Sequence, residues 1–106
     1  MPFQLVWANE ADQLHYTYVL RSQLDGRLYI GATGNLRERM KLYTAGHVRS
    51  TAHRRPLTLV YYEACLSAED AYRRERYLKP GRGGRYLKAR LASSLADIRD
   101  NKLERR

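Results

Sequence analysis

The sequence predicts an α/β domain: a three-stranded, mostly antiparallel sheet flanked by helices. Two short tyrosine-bearing segments, residues 16–20 and 28–31, flank Asp25-Gly26, a pair that favours a hairpin turn. A third β-type run, Leu57-Thr58-Leu59-Val60-Tyr61-Tyr62, follows Pro56. Helical patterns with capping signals occupy the stretches between and after these strands.

Taken in order, residues 1–14 show no clear period and form a leader, expected to pack through Phe3 and Trp7. Strands are expected over 16–21 and 27–32, where β-branched and aromatic residues dominate. A helix fits residues 35–45: Asn35 and Glu38 have capping-box spacing, and Gly46 stands where a C-terminal glycine belongs. A basic loop covers 46–56, and the third strand covers 57–62. Ser67-Ala68-Glu69-Asp70 opens a second helix, stopped by Pro80-Gly81. Gly83-Gly84 ends that connection, and a last helix begins near Arg85, with Leu87, Leu91, Leu95 and Ile98 at helical spacing. The domain therefore spans 15–95, and 96–106 is a charged tail with frayed final residues.

Composition narrows the function. With 43% hydrophobic residues in a chain of 106, one core is affordable and disorder is excluded. Twenty Lys and Arg against eleven Asp and Glu give a net charge of +9, which points to a polyanion, nucleic acid before a membrane surface. The single cysteine, Cys65, allows no intrachain disulfide. No signal or transit pattern opens the chain, and no apolar run approaches the ~18 residues of a membrane span. A cytoplasmic protein without membrane association is expected.

The segment Tyr16-Thr17-Tyr18-Val19-Leu20, then Leu28-Tyr29-Ile30-Gly31, then Asn35-Leu36-Arg37-Glu38-Arg39, then Ala71-Tyr72-Arg73-Arg74-Glu75 resembles, in order and spacing, the GIY-YIG nuclease superfamily. It is closest to that superfamily's small single-domain branch, and the resemblance covers about residues 16–91. It implies a divalent-metal-dependent endonuclease, using Mg²⁺ or Mn²⁺, that hydrolyses phosphodiesters in DNA, with RNA as the alternative substrate. By the same resemblance Tyr18 and Tyr29 would handle the water, Arg39 the phosphate and Glu75 the cation.

Each of these residues also has an ordinary structural reading. Glu75 lies on the stripe Ala68, Ala71, Glu75, Leu78, where a carboxylate is costly unless paired. A salt bridge to Lys79 or to a nearby arginine would suffice, and so would a hard cation needing one carboxylate plus waters. Tyr29 projects to the opposite sheet face from Leu28 and Ile30, and Gly31 beside it leaves room for a ligand or a backbone to approach. As a base, a tyrosine of ordinary pKa needs help from a nearby cation. Arg39 borders the apolar line Leu36, Met40, Tyr43 and could either snorkel or hold a phosphate oxygen with its planar fork. Arg37 points elsewhere, as a surface charge or a nucleic-acid contact. Tyr16 stands in place of the first-motif glycine, and Tyr43-Thr44 in place of a His-Asn pair. Ala32 holds a position that is lysine in some repair-nuclease relatives.

The remaining charge reads as phosphate contacts. Arg49, Arg54 and Arg55 crowd the loop with His47 and His53, a set too poor in ligands for zinc. Arg73, Arg74, Lys79, Arg82, Arg85 and Lys88 fall in a stretch interleaved with Tyr72, Tyr77 and Tyr86, suited to tracking a backbone and stacking unpaired bases. The rival readings are a slow or inactive nucleic-acid-binding module of the same fold, and a basic protein bound to ribosomal RNA or an acidic partner.

Overall fold

The computed structural model describes residues 13–79 and 81–99, with only the backbone for Arg82, Ile98 and Arg99. The expectations for Phe3, Trp7 and the last seven residues fall outside that range. Strands β1 (His15–Ser22) and β2 (Leu28–Thr33) form the hairpin, and β3 (Leu57–Cys65) pairs with the other side of β1. The sheet order is therefore β2-β1-β3, antiparallel throughout.

Local chemistry explains the hairpin. Gly26 takes φ 74°, a conformation that L side chains rarely adopt. The Asp25 carboxylate accepts from Arg27 N–H at 2.8 Å, and Ser22 Oγ accepts from Leu24 N–H at 3.1 Å. The β1·β2 register is unbroken. The parity needed to align the two tyrosines thus comes from the turn itself, with no bulge in this pair. The bulge lies on the other side of β1, where Val19 faces Tyr61 and Leu20 faces Leu59, leaving Val60 as the extra residue.

Strand alternation divides the core in two. On one face Val19 packs with Leu78, Leu87 and Leu91 under helices α2 (Ala68–Leu78) and α3 (Arg82–Arg90). Full burial of side chains of this size contributes about 1.5–3 kcal/mol each. Thr17 is buried on this face and its hydroxyl donates to the Ala71 carbonyl at 2.9 Å, pinning α2 to β1. On the other face Tyr18 and Leu20 pack with Tyr43 from α1 (Leu36–Ala45).

Both helix starts follow their caps. Asn35 Oδ1 accepts from Glu38 N–H at 3.1 Å, Ser67 Oγ from Asp70 N–H at 3.4 Å, and Gly46 closes α1 at φ 79°. Three expectations are corrected. β3 runs three residues further, to Cys65. The last helix starts at Arg82, not Arg85, so Gly83 and Gly84 lie inside its first turn. A Cβ on Gly83 would collide with the Tyr77 carbonyl and come within 2.7 Å of Leu78 Cα, so this glycine lets α3 rest on the end of α2. Finally, the leucine line is broken at Leu91 into α3 and α4 (Ala92–Arg99), with Leu87 and Leu91 buried in the Val19 core and Leu95 packed against it.

Candidate active site and nucleic-acid interface

Two strands and one helix assemble the first cluster. Tyr18 faces Gly31 across the hairpin and Tyr29 faces Leu20, so the two tyrosines lie on one sheet face as diagonal neighbours. The Tyr18 ring lies directly over Gly31: a Cβ there would sit 2.5 Å from its Cζ. The space expected beside Gly31 is therefore filled from within the fold. Arg39 and Tyr43, one helical turn apart on α1, both come down onto Tyr18. The Tyr18 and Tyr43 hydroxyls are 2.7 Å apart, Arg39 Nε donates to the Tyr18 hydroxyl at 3.4 Å, and the guanidinium lies 5.2 Å from the Tyr43 ring centre.

Burial, and then the Tyr43 hydrogen bond, push the Tyr18 hydroxyl well above the ordinary tyrosine range, despite Arg39 beside it. Tyr18 is only 1% exposed and keeps its proton, so its part in this arrangement is to hold Arg39 in place. The Tyr18 hydrogen bond in turn raises the Arg39 pKa, so the guanidinium stays charged. No carboxylate pairs with Arg39 among the described residues.

Tyr29 packs at the margin of this cluster and its hydroxyl donates to Asp25 Oδ2 at 3.4 Å. The same oxygen accepts from Arg54 Nη1 at 3.1 Å. The Arg27 N–H, with help from Ser22 and Arg54, keeps the Asp25 carboxyl below its usual range, and hence ionised. Asp25, which the sequence presents only as a turn residue, is thus the polar anchor of Tyr29. Its contact lies four residues away across a turn, where local pattern shows only the turn.

Glu75 is carried by α2 on the sheet face opposite α1. No hydrogen bond or ion pair among the described residues joins it to Tyr18, Tyr29 or Arg39. Its partner is Lys79 at 2.9 Å, with the two side chains 20% and 48% exposed. Only the lysine end of this pair is open to water, and an ion pair within one helical turn is a modest tie. A hard oxygen donor, reachable and held only by an exposed lysine, suits a Mg²⁺ or Mn²⁺ ion that keeps most of its waters. Among the described residues no group of three or more His, Cys, Asp or Glu gathers to bind a metal.

The structure divides the basic residues. Arg54 is engaged by Asp25. Arg55 donates to the carbonyls of Ala52 and Thr44, at 2.8 and 3.1 Å, and so closes the end of α1. Arg73 pairs with Asp70 on the surface. Arg74 donates to both Glu63 oxygens at 3.1 Å and lies against the rings of Tyr77 and Tyr86, so those rings are also occupied from within the fold. Arg49, Arg85 and Lys88 have no ion pair among the described residues and are exposed. Of the cations expected to meet phosphate, these three are left uncommitted. Replacing Arg85 and Lys88 together by Gln is expected to flatten the log–log salt dependence of duplex binding by roughly 2 units, measured by anisotropy titration. An unchanged slope would move the interface to the loop around Arg49.

A model of the GIY-YIG catalytic domain matches residues 14–83, which contain every one of these site residues except Arg85 and Lys88. The chain belongs to the GIY-YIG family. It lies in the small single-domain branch. It is 39% identical over 66 residues to a UPF0213 protein of Staphylococcus haemolyticus, a match spanning 61% of this chain and 79% of that one. A UPF0213 protein of Clostridium perfringens is 37% identical over 67 residues, 62% of this chain and 71% of the relative. One from Streptococcus pneumoniae is 36% identical over 69 residues, 64% and 69% of the two chains. No solved structure matches the chain. GIY-YIG membership makes this a nuclease fold whose substrate class is nucleic acid and whose enzymes generally use divalent metals. The antiparallel sheet with flanking helices is the fold expected of it.

Proposed function

We propose that this protein is an endonuclease that hydrolyses phosphodiester bonds in DNA, weakly specific or directed by structure, with Glu75 holding a Mg²⁺ or Mn²⁺ ion. The observation that carries the reading is Arg39: a permanently charged fork, fixed through Nε by a buried tyrosine and uncompensated by any carboxylate among the described residues. By contrast, Arg74 is neutralised by Glu63 and Arg54 by Asp25. Arg39 is arranged to meet an anion from outside.

The remaining roles follow from position. Tyr29, its proton turned toward Asp25, offers an oxygen lone pair that can accept a hydrogen from a water and orient it. Tyr18 and Tyr43 keep the Arg39 fork in the plane a phosphate requires. Arg39 on α1 and Glu75 on α2 come from opposite faces of the sheet, and in this reading both act on the one substrate phosphate. A cation bound at Glu75 supplies Lewis-acid neutralisation of charge developing on the phosphate.

Arg39→Lys tests the reading. A point charge cannot reproduce a fork, so cleavage of a labelled DNA in Mg²⁺ or Mn²⁺ is expected to fall by roughly a hundredfold, with binding nearly unchanged. Screening single-stranded, duplex and branched DNA, and RNA, defines the substrate. A wild-type protein that binds all of these in a salt-dependent manner and cuts none would instead be a binding module of the same fold.

A further inference from the structure

On the side of α1 away from Arg39 runs an open groove of about 890 Å³, floored by Tyr16, Leu59 and Tyr62 of the sheet and walled by Arg37, Met40 and Lys41 of the helix. A second hollow, lined among others by Tyr43, shares Met40, Thr44 and Leu59 with it and so adjoins it; the trough is the two together. The two floor rings belong to neither core cluster, and Tyr16 is half-buried. Tyr62 is 53% exposed, directly opposite Tyr18 in the β1·β3 register, and its ring meets Tyr16 edge to face at 5.9 Å. Tyr16 occupies the position where the first family motif has glycine. A glycine there would leave Tyr62 without this ring partner and the groove without one of its floor residues.

We propose that this trough is a base-stacking subsite: it takes the unpaired bases of a single-stranded segment of nucleic acid, while Arg37 and Lys41 follow its phosphates. Three features select this occupant. A flat aromatic ring lying open on a sheet, as Tyr62 does, accepts any base face, a contact worth about 1–3 kcal/mol per base. The cations on the rim suit a polyanion, and Lys41 is held only by Glu38 in an exposed pair that salt weakens. The groove adjoins a hollow lined by Tyr43, the residue whose hydroxyl bonds Tyr18. Duplex DNA, its bases stacked on one another, offers no free face to Tyr62. The inference rests on the reading of the ligand as nucleic acid and names which form of it the site prefers.

The test is equilibrium binding in EDTA, with three fluorescent probes of equal length: a single-stranded oligothymidylate, a duplex, and an abasic deoxyribose-phosphate oligomer. Tyr62→Ala is expected to weaken the single strand by about tenfold, corresponding to one stacked base, and to leave the duplex and abasic probes unchanged. Tyr62→Phe should bind like the wild type, because the ring and not the hydroxyl carries the contact. Tyr16→Ala should follow Tyr62→Ala. Arg37→Gln should lower the single-strand salt slope by about 0.7.

Equal losses on all three probes, or no loss on any, overturn the subsite. So does sedimentation showing that Tyr62→Ala dissociates a wild-type dimer, which would make the face a contact between copies. If the wild type binds no probe at all, the nuclease reading fails with it. Binding that ignores Tyr62 sinks this inference alone.

Discussion

Glu75→Gln is expected to abolish divalent-dependent cleavage, by roughly a thousandfold or about 4 kcal/mol of transition-state stabilisation, while the protein stays folded. A neutral amide is a poor ligand for a hard cation, so the loss should persist at raised Mg²⁺. The stability cost is small because of what Glu75 touches. Its partner Lys79 is one helical turn away and about half exposed, and such pairs contribute about 0.5 kcal/mol or less. No buried cation is stranded by the change, so the melting temperature should move by only a few degrees. Binding in EDTA should hold or tighten slightly, since one negative charge leaves a strongly positive surface. Melting, binding and cleavage measured on one preparation separate the outcomes. A variant that cuts at the wild-type rate per folded molecule would remove Glu75 from the site.

The second large effect comes from a residue with no functional group. Gly31→Ala is expected to cost about 3 kcal/mol and to eliminate cleavage. The added methyl would press on the Tyr18 ring, 2.5 Å from Cζ and 3.0 Å from Cε1, in a place where Tyr18 is almost fully buried and cannot swing aside. Moving the ring breaks the Tyr18–Tyr43 bond and releases Arg39 from its Nε anchor. Tyr18→Phe gives the control: it keeps the ring, loses the hydroxyl and should cost only about 1 kcal/mol, with reduced rather than absent activity. Binding through Arg85 and Lys88, which lie on α3 against the other sheet face, should survive in whatever fraction of Gly31→Ala remains folded. Thermal melting of the two variants side by side decides the matter. Equal stability of Gly31→Ala and wild type would mean that Tyr18 does not lie over Gly31.

Much of this was legible in the sequence, where short-range chemistry governs. The hairpin follows from Asp25-Gly26, α1 from Asn35, Glu38 and Gly46, and α2 from Ser67 and Asp70. Each signal acts over four residues or fewer, through backbone groups the side chain can reach in any fold. The same-face placement of Tyr18 and Tyr29 also follows once the turn sets the register, because strand alternation is strict. Charge and motif order were enough to point to a nucleic acid and to the family.

What only the tertiary structure decided are the contacts that span tens of residues. Arg54, Arg55 and Arg74 look in the sequence like cations available to phosphate. In the fold Asp25, the end of α1 and Glu63 take them, because packing brings those acceptors within reach at no extra ordering cost. The space beside Gly31 reads as room for a ligand, yet a strand pairing thirteen residues back along the chain fills it with Tyr18. The leucine line from Leu87 predicts one helix. It breaks at Leu91, and Leu95 beyond the break still packs against the Val19 core. Periodicity reports which side of an element is apolar. Only the packed molecule determines which group meets it, because many partners would satisfy the same side chain and the fold brings just one of them close.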